Sequence, residues 1–272
     1  MLGKLLKHEF KASCRIIPIF YLIIAGLMIL GTICRLFKIY PIAIFITILL
    51  AMGCVAVMVG TLAIIAVRFY RSMFGREGYL TQTLPVSKGG LLFSRLLLAL
   101  FWLLCGLFVC LAAVCFIFFL LDLGSPLAAL QELIAQMGAA EFSAMAIFFL
   151  VSLVTQTLLN LSAIYFAVTF SHTRPFLKNN ILFSVVWYFA LNTVIGLLEF
   201  AGMLLIPIVL TVQNGHLALD FYFMVSGLEA FGQAGQFSAN GMSIGNVIVD
   251  LAGTAALLSL TVWMLRCKTS VK

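Results

Sequence analysis

The sequence predicts an all-α integral membrane protein with six transmembrane helices and both termini on the inner side. Three observations carry this reading. Hydrophobic residues make up 64% of the 272 positions and charged ones only 9%, against about 25% charged in soluble domains. The apolar residues gather in six runs near the roughly 20 residues that a helix needs to cross a hydrocarbon core of about 30 Å. Basic residues fall almost entirely on one side of these runs.

The expected spans are 16–34, 41–67, 91–121, 142–170, 180–199 and 244–265, within a single transmembrane domain over 1–272. The third starts at headgroup depth near Ser94 and Arg95. The run from Asn180 to Val212 is too long for one crossing and contains Glu199 and Pro207. A helix from Asn180 already crosses by Glu199, so "AGMLLIPIVLTVQ" is expected to form an external re-entrant segment before the last span.

Lys and Arg in short flanking loops set orientation. The N-terminus, the 68–90 loop with Arg95, the 171–178 loop and the C-terminal tail hold fourteen of the sixteen basic residues, leaving only Arg35 and Lys38 on the other side. The net charge of +7 is then a consequence of topology and of attraction to an anionic inner leaflet. It gives no reason to invoke nucleic acid. The first apolar run is long enough to span and no small-residue cleavage site follows it, so it is expected to stay in the protein. Cys54, Cys105, Cys110 and Cys115 lie within spans, and no intrachain disulfide is expected.

Two amphipathic segments flank the spans. In "MLGKLLKHEFKASCR", Leu2, Leu5, Leu6 and Phe10 share a helical face opposite Lys4, Lys7, Lys11 and Arg15, the pattern of an in-plane helix at the inner surface. It serves either as a topology anchor or as a contact for a partner. Outside, "GSPLAALQELIAQMG" has Ser125 as N-cap, Pro126 in the first turn and Gly138 as stop.

The usual motifs of chemistry do not occur. No phosphate-binding G-x-x-x-x-G-K-[ST], no G-x-S-x-G and no His or Cys pair at metal spacing is found, so no catalytic residue, metal or cofactor is assigned to this chain. Polar residues within spans are costly in lipid and are turned inward. Ser152, Gln156 and Asn160 recur every four residues along the fourth span, either as interhelical glue worth about 1 kcal/mol per contact or as the lining of a translocation path. Glu199 and Asp250 fall in the outer third of their spans, where an interface role and proton coupling both stand open. Gly241, Gly245 and Gly253, with Val249, make a small-residue face that admits a close neighbour helix.

Between the second and third spans runs "RFYRSMFGREGYLTQTLPVSKGG", too short for a core of its own yet rich in Phe, Tyr and Leu that need a surface to bury against. Glu77 to Leu84 allows two helical turns with Leu80 and Leu84 on one face, and Pro85 ends them. The loop lies either against the bilayer and neighbouring helices or against a partner.

The run "FGREGYLTQTLPVSKGGLLFSRLL", with its aromatic-Gly-x-Glu-Gly-Tyr-Leu-Thr start and Thr-Leu-Pro-Val-Ser end, resembles the first cytoplasmic loop of six-span permease subunits of bacterial ABC exporters of the type-two class. The span number, inside termini and amphipathic N-terminus are similar over essentially the whole chain. The resemblance implies that Glu77, Tyr79, Leu80, Leu84 and Pro85 belong to a cytoplasmic coupling helix docking on a separate ATP-binding cassette subunit. It implies further that ATP binds to that partner and not to this chain, that a second permease subunit completes the path, and that the protein sits in a bacterial cytoplasmic membrane. Ser152, Gln156, Asn160 and Glu199, polar within the spans, are the candidates to border such a path, and by analogy with this class the substrate would be a peptide antibiotic, a drug or a lipid-like molecule. An ion-coupled secondary transporter and a non-transporting membrane assembly or sensory subunit are the competing expectations.

Overall fold

The computed structural model describes residues 7, 9–11, 13–37, 40–75, 88–121, 128, 131, 134–135, 138–172, 180–213, 216–221 and 241–267. Six long helices dominate: α1 (Ile17–Leu36), α2 (Tyr40–Phe74), α3 (Lys88–Leu120), α4 (Ala139–Ser171), α5 (Asn180–Leu205) and α6 (Gly245–Cys267). All six are long and apolar enough to cross a membrane, which fits a multi-pass membrane protein. Leu22, Phe45, Phe108, Phe189 and Leu197 are among many large apolar side chains left exposed, the surface a helix turns to hydrocarbon.

Two compact units divide the chain, one of Met1–Gln131 with Val271–Lys272, the other of Glu132–Ser270. In the first, α1 packs on both α2 and α3, and α2 packs on α3. Ile24, Leu50, Val57 and Ala113 form its buried centre. Ile17, Leu98 and Trp102 form a second cluster, where the Tyr21 hydroxyl donates to the Trp102 carbonyl at 2.8 Å. Small residues set these distances: a Cβ on Gly53 would lie 2.9 Å from Ile24 Cδ1, and one on Gly31 would touch Phe116 and Leu120. The guanidinium of Arg35 lies 3.8 Å over the Phe119 ring, an attraction available to a cation beside an apolar surface.

In the second unit α4 packs on α5 and α6, and α5 on α6. Its buried hydroxyls are satisfied within their own helices: Ser162 donates to the Leu159 carbonyl, Thr169 to Tyr165, Thr254 to Asp250 and Thr261 to Leu257. Such back-bonding lets Ser and Thr enter an apolar interior without an orphaned donor. At the end of α4 the Ser171 hydroxyl meets Ser184 of α5 at 2.5 Å, and His172 Nδ1 lies 2.8 Å from the Val168 carbonyl. That carbonyl only accepts, so Nδ1 carries the hydrogen; burial pushes the His172 pKa down.

The expected helix ends differ in informative ways. α2 runs on to Phe74, seven residues past the expected 67, and stops where the Gly75 N–H closes on the carbonyls of Tyr70 and Arg71. Gly138, expected to stop the preceding helical segment, has φ 93 and donates to the Ile134 carbonyl. Its positive φ is easy only for glycine, and α4 starts at the next residue.

The re-entrant segment expected over Ala201–Val212 is corrected. Helix α5 continues to Leu205, and beyond Pro207 the chain forms β1 (Ile208–Gln213), paired antiparallel with β2 (His216–Phe221) and with β3 (Gly241–Ser243) in the order β2-β1-β3. The β-branched Ile208, Val209, Thr211 and Val212 favour a strand over a helix, and pairing on both sides satisfies the backbone of β1. Gly241 is thus a strand residue and not part of the small face of α6.

Candidate functional site

Two polar groupings stand out, one in each unit. In the first unit the Glu9 carboxylate joins two helices. Its Oε2 accepts from Arg68 at 3.1 Å, and its Oε1 pairs with the Arg95 guanidinium at 3.5 Å. Arg68 also donates to the Glu9 carbonyl at 3.2 Å and to the Ser13 hydroxyl. Phe10 stacks on Trp102 of α3, with ring centroids 5.6 Å apart. Glu9 and Ser13 belong to the N-terminal amphipathic segment, of which the described residues 7, 9–11 and 13 are helical. Arg68 is on α2 near its Phe74 end, and Arg95 is on α3 near its Lys88 start. The segment is therefore fastened to the two helix ends that flank residues 76–87. The coupling residues expected within that stretch, Glu77, Tyr79, Leu80, Leu84 and Pro85, lie outside the described residues.

Glu9 has no role legible from sequence, because nothing in spacing links an acid at position 9 to Arg68 and Arg95. A carboxylate among lysines on an amphipathic helix was the available signal. It balances two guanidinium groups at a place where Arg95 is nearly buried.

In the second unit, α4, α5 and α6 bring five polar residues together. Gln156 Nε2 donates to Glu199 Oε1 at 3.0 Å, and Thr155 Oγ1 donates to Asp250 Oδ2 at 3.2 Å. Asp250 is 2% exposed. Asp250 Oδ1 and, one turn earlier on α6, Asn246 Oδ1 are buried without a hydrogen-bond donor. Among the described residues no three His, Cys, Asp or Glu gather as a metal cage would require.

The polar stripe expected on α4 divides here. Gln156 crosses to α5, as interhelical glue does. Ser152 donates to the Phe149 carbonyl and Asn160 to that of Gln156, so both bond to their own helix. Thr155 and Asn246 were missed. A Thr next to a polar stripe and an Asn one turn from an Asp were the signals, and only packing distinguishes such residues from exposed ones.

A short contact holds this cluster in place. A Cβ on Gly245 of α6 would lie 2.5 Å from the Gly202 carbonyl oxygen of α5, and one on Gly202 would lie 2.5 Å from Val249 Cγ2. Gly202 is three residues beyond Glu199 and Gly245 five before Asp250, so the close backbone crossing lies within about a turn and a half of both acidic residues. Gly253 similarly admits Leu159 of α4. Residues Gly245 and Gly253 of the small face are thus occupied by neighbours within the chain.

The helices define the class: a multi-pass membrane protein with a pinned pair of helix ends and a buried Asp250 bonded by Thr155. No protein-family model, no curated protein and no solved structure matches the chain.

Proposed function

We propose that this chain is the permease subunit of an ATP-driven exporter of the type-two ABC class, in a bacterial cytoplasmic membrane with both termini inside. The supporting observation is the run from Phe74 to Leu97: an aromatic-Gly-x-Glu-Gly-Tyr-Leu-Thr…Thr-Leu-Pro-Val-Ser segment between two membrane-length helices whose facing ends are pinned by Glu9. In this reading Leu80 and Leu84 seat the loop in a groove of a separate ATP-binding subunit. Closure of two such subunits on ATP pushes the loop, and the push is transmitted to α2 and α3 through their rigid ends. A second permease subunit completes the path. The ATPase biases the equilibrium between inward-open and outward-open states, and the permease makes different contacts with the substrate in each. The apolar helices suit an amphipathic peptide, a drug or a lipid-like substrate.

A photo-crosslinking side chain introduced at Leu84 in the full-length protein in its native membrane tests the docking role. The expected adduct joins the chain to a soluble protein carrying a Walker phosphate loop. Adducts formed only with lipid, or within the chain, would overturn it.

A further inference from the structure

We propose that the outward face of the N-terminal segment binds the phosphate of an anionic phospholipid, whose acyl chain lies along the exposed side of α3. The proposal stands on the geometry of the first unit and does not rest on the export reading. The segment has two unlike faces. Glu9 and Ser13, four residues apart, turn toward Arg68 and Arg95, and Phe10 turns toward Trp102. The Cys14 N–H donates to the Phe10 carbonyl at 2.9 Å, which carries the helical turn on to Cys14. Lys7 and Lys11, also four residues apart, are exposed, and so is Arg15 beyond them. At 3.6 residues per turn, Lys7 and Lys11 stand about 40° from each other and about 120° or more from Glu9 and Ser13. Glu9 is the only acid in the first fifteen residues. With its carboxylate committed to Arg68 and Arg95, the outward face presents basic groups alone.

Arg15 precedes the start of α1 at Ile17 by two residues, which puts this basic face where the first span meets the headgroup layer. Long basic side chains at that depth lay their stems on apolar surface and keep their charge among the phosphates. The neighbouring surface is apolar. Phe10 is 38% exposed, and its ring lies 5.8 Å from that of Phe101. Phe93, Leu97 and Phe101, each four residues from the next, make an exposed stripe on α3 that is about 12 Å long. Aromatic rings favour the boundary between headgroups and hydrocarbon. A phosphate that carries an acyl chain meets both surfaces at once, whereas a free phosphate meets only the first and a neutral lipid only the second. A lipid so bound holds from outside the same segment that Glu9 fastens from inside to α2 and α3.

Native mass spectrometry of the full chain, purified in mild detergent and given phosphatidylglycerol and phosphatidylcholine in equal amounts, tests the site. The wild type is expected to retain phosphatidylglycerol in preference, and the preference should weaken as sodium chloride screens the charges. The Lys7→Gln, Lys11→Gln double variant leaves Glu9 and Phe10 in place. It is expected to bind phosphatidylglycerol about 30-fold more weakly, the weight of two cations beside an anionic surface. The Lys7→Arg, Lys11→Arg variant should bind like the wild type. Arg266→Gln, which removes a basic residue from the end of α6, should leave binding unchanged. Glycerol phosphate, which has the phosphate without the chains, should not displace the lipid. Equal retention of both lipids by the wild type, or undiminished binding in the double glutamine variant, would overturn the proposal. An equal loss in Arg266→Gln would reduce the effect to net charge, and displacement by glycerol phosphate would assign the face to a free anion; either result would overturn it as well.

Discussion

Replacing Gly245 by alanine is expected to destabilise the second unit by about 1–3 kcal/mol, the cost of forcing an extra methyl into a filled contact. The new Cβ would lie 2.5 Å from the Gly202 carbonyl oxygen and 3.1 Å from Ile206 Cβ. Neither can turn aside as a flexible side chain does. The Gly202 carbonyl is already engaged by the Ile206 N–H at 3.0 Å, so moving it sacrifices a hydrogen bond at the end of α5. The alternative is for α6 to withdraw, which loosens Asp250 from Thr155. Gly196→Ala on the neighbouring helix α5 is the control, because its Cβ would meet nothing within 4 Å, and alanine in a helix interior is better than glycine by about 0.5–1 kcal/mol. Unfolding in mixed micelles titrated with dodecyl sulfate should therefore lower the midpoint for Gly245→Ala and leave it level or raised for Gly196→Ala. Equal midpoints for the two variants would contradict the close crossing.

The second large effect is expected at Glu9. Removing its carboxylate with Glu9→Ala deprives two guanidinium groups of their shared counter-charge. The Arg95 side chain is only 5% exposed, whereas those of Arg68 and Glu9 are 25% and 22% exposed. A fully buried pair broken on one side costs about 3–5 kcal/mol, and an exposed pair contributes about 0–1 kcal/mol. A loss of about 2 kcal/mol in the first unit is expected between these limits. Glu9→Gln keeps an acceptor for Arg68 but loses the charge and should fall between alanine and wild type. Proteolysis of the N-terminal segment should also become faster in Glu9→Ala, because Phe10 on Trp102 is then the main contact that holds the segment to α3. Unchanged stability and proteolysis would mean that the ion pairs are incidental.

These two sites show where sequence reading reached and where it stopped. The six spans were legible because composition alone decides whether a 20-residue run can lie in hydrocarbon. Their ends were less so. Arg68 to Phe74 looks like loop because basic and aromatic residues alternate there, yet the helix persists once Arg68 has a carboxylate to meet. The strands were legible in part: the Gln213↔His216 register leaves only Asn214 and Gly215 between β1 and β2, the residue pair that two-residue hairpins favour. The apolar character of 201–212 concealed this by suggesting membrane entry. Within the cluster, Gln156, Glu199 and Asp250 were visible as polar residues in costly places, but their meeting was not. Three helices far apart in sequence have to pack before Gln156 can find Glu199 and Thr155 can find Asp250.

The proposed docking of an ATP-binding subunit on the segment between α2 and α3 is open to a direct test by affinity purification from native membranes in mild detergent. Wild type is compared with Leu80→Arg, a change confined to the loop that should leave membrane insertion intact. A protein with a Walker phosphate loop is expected to accompany the wild type and to be lost with Leu80→Arg. Recovery of no such ATPase with wild type, under conditions that preserve other membrane complexes, would contradict it.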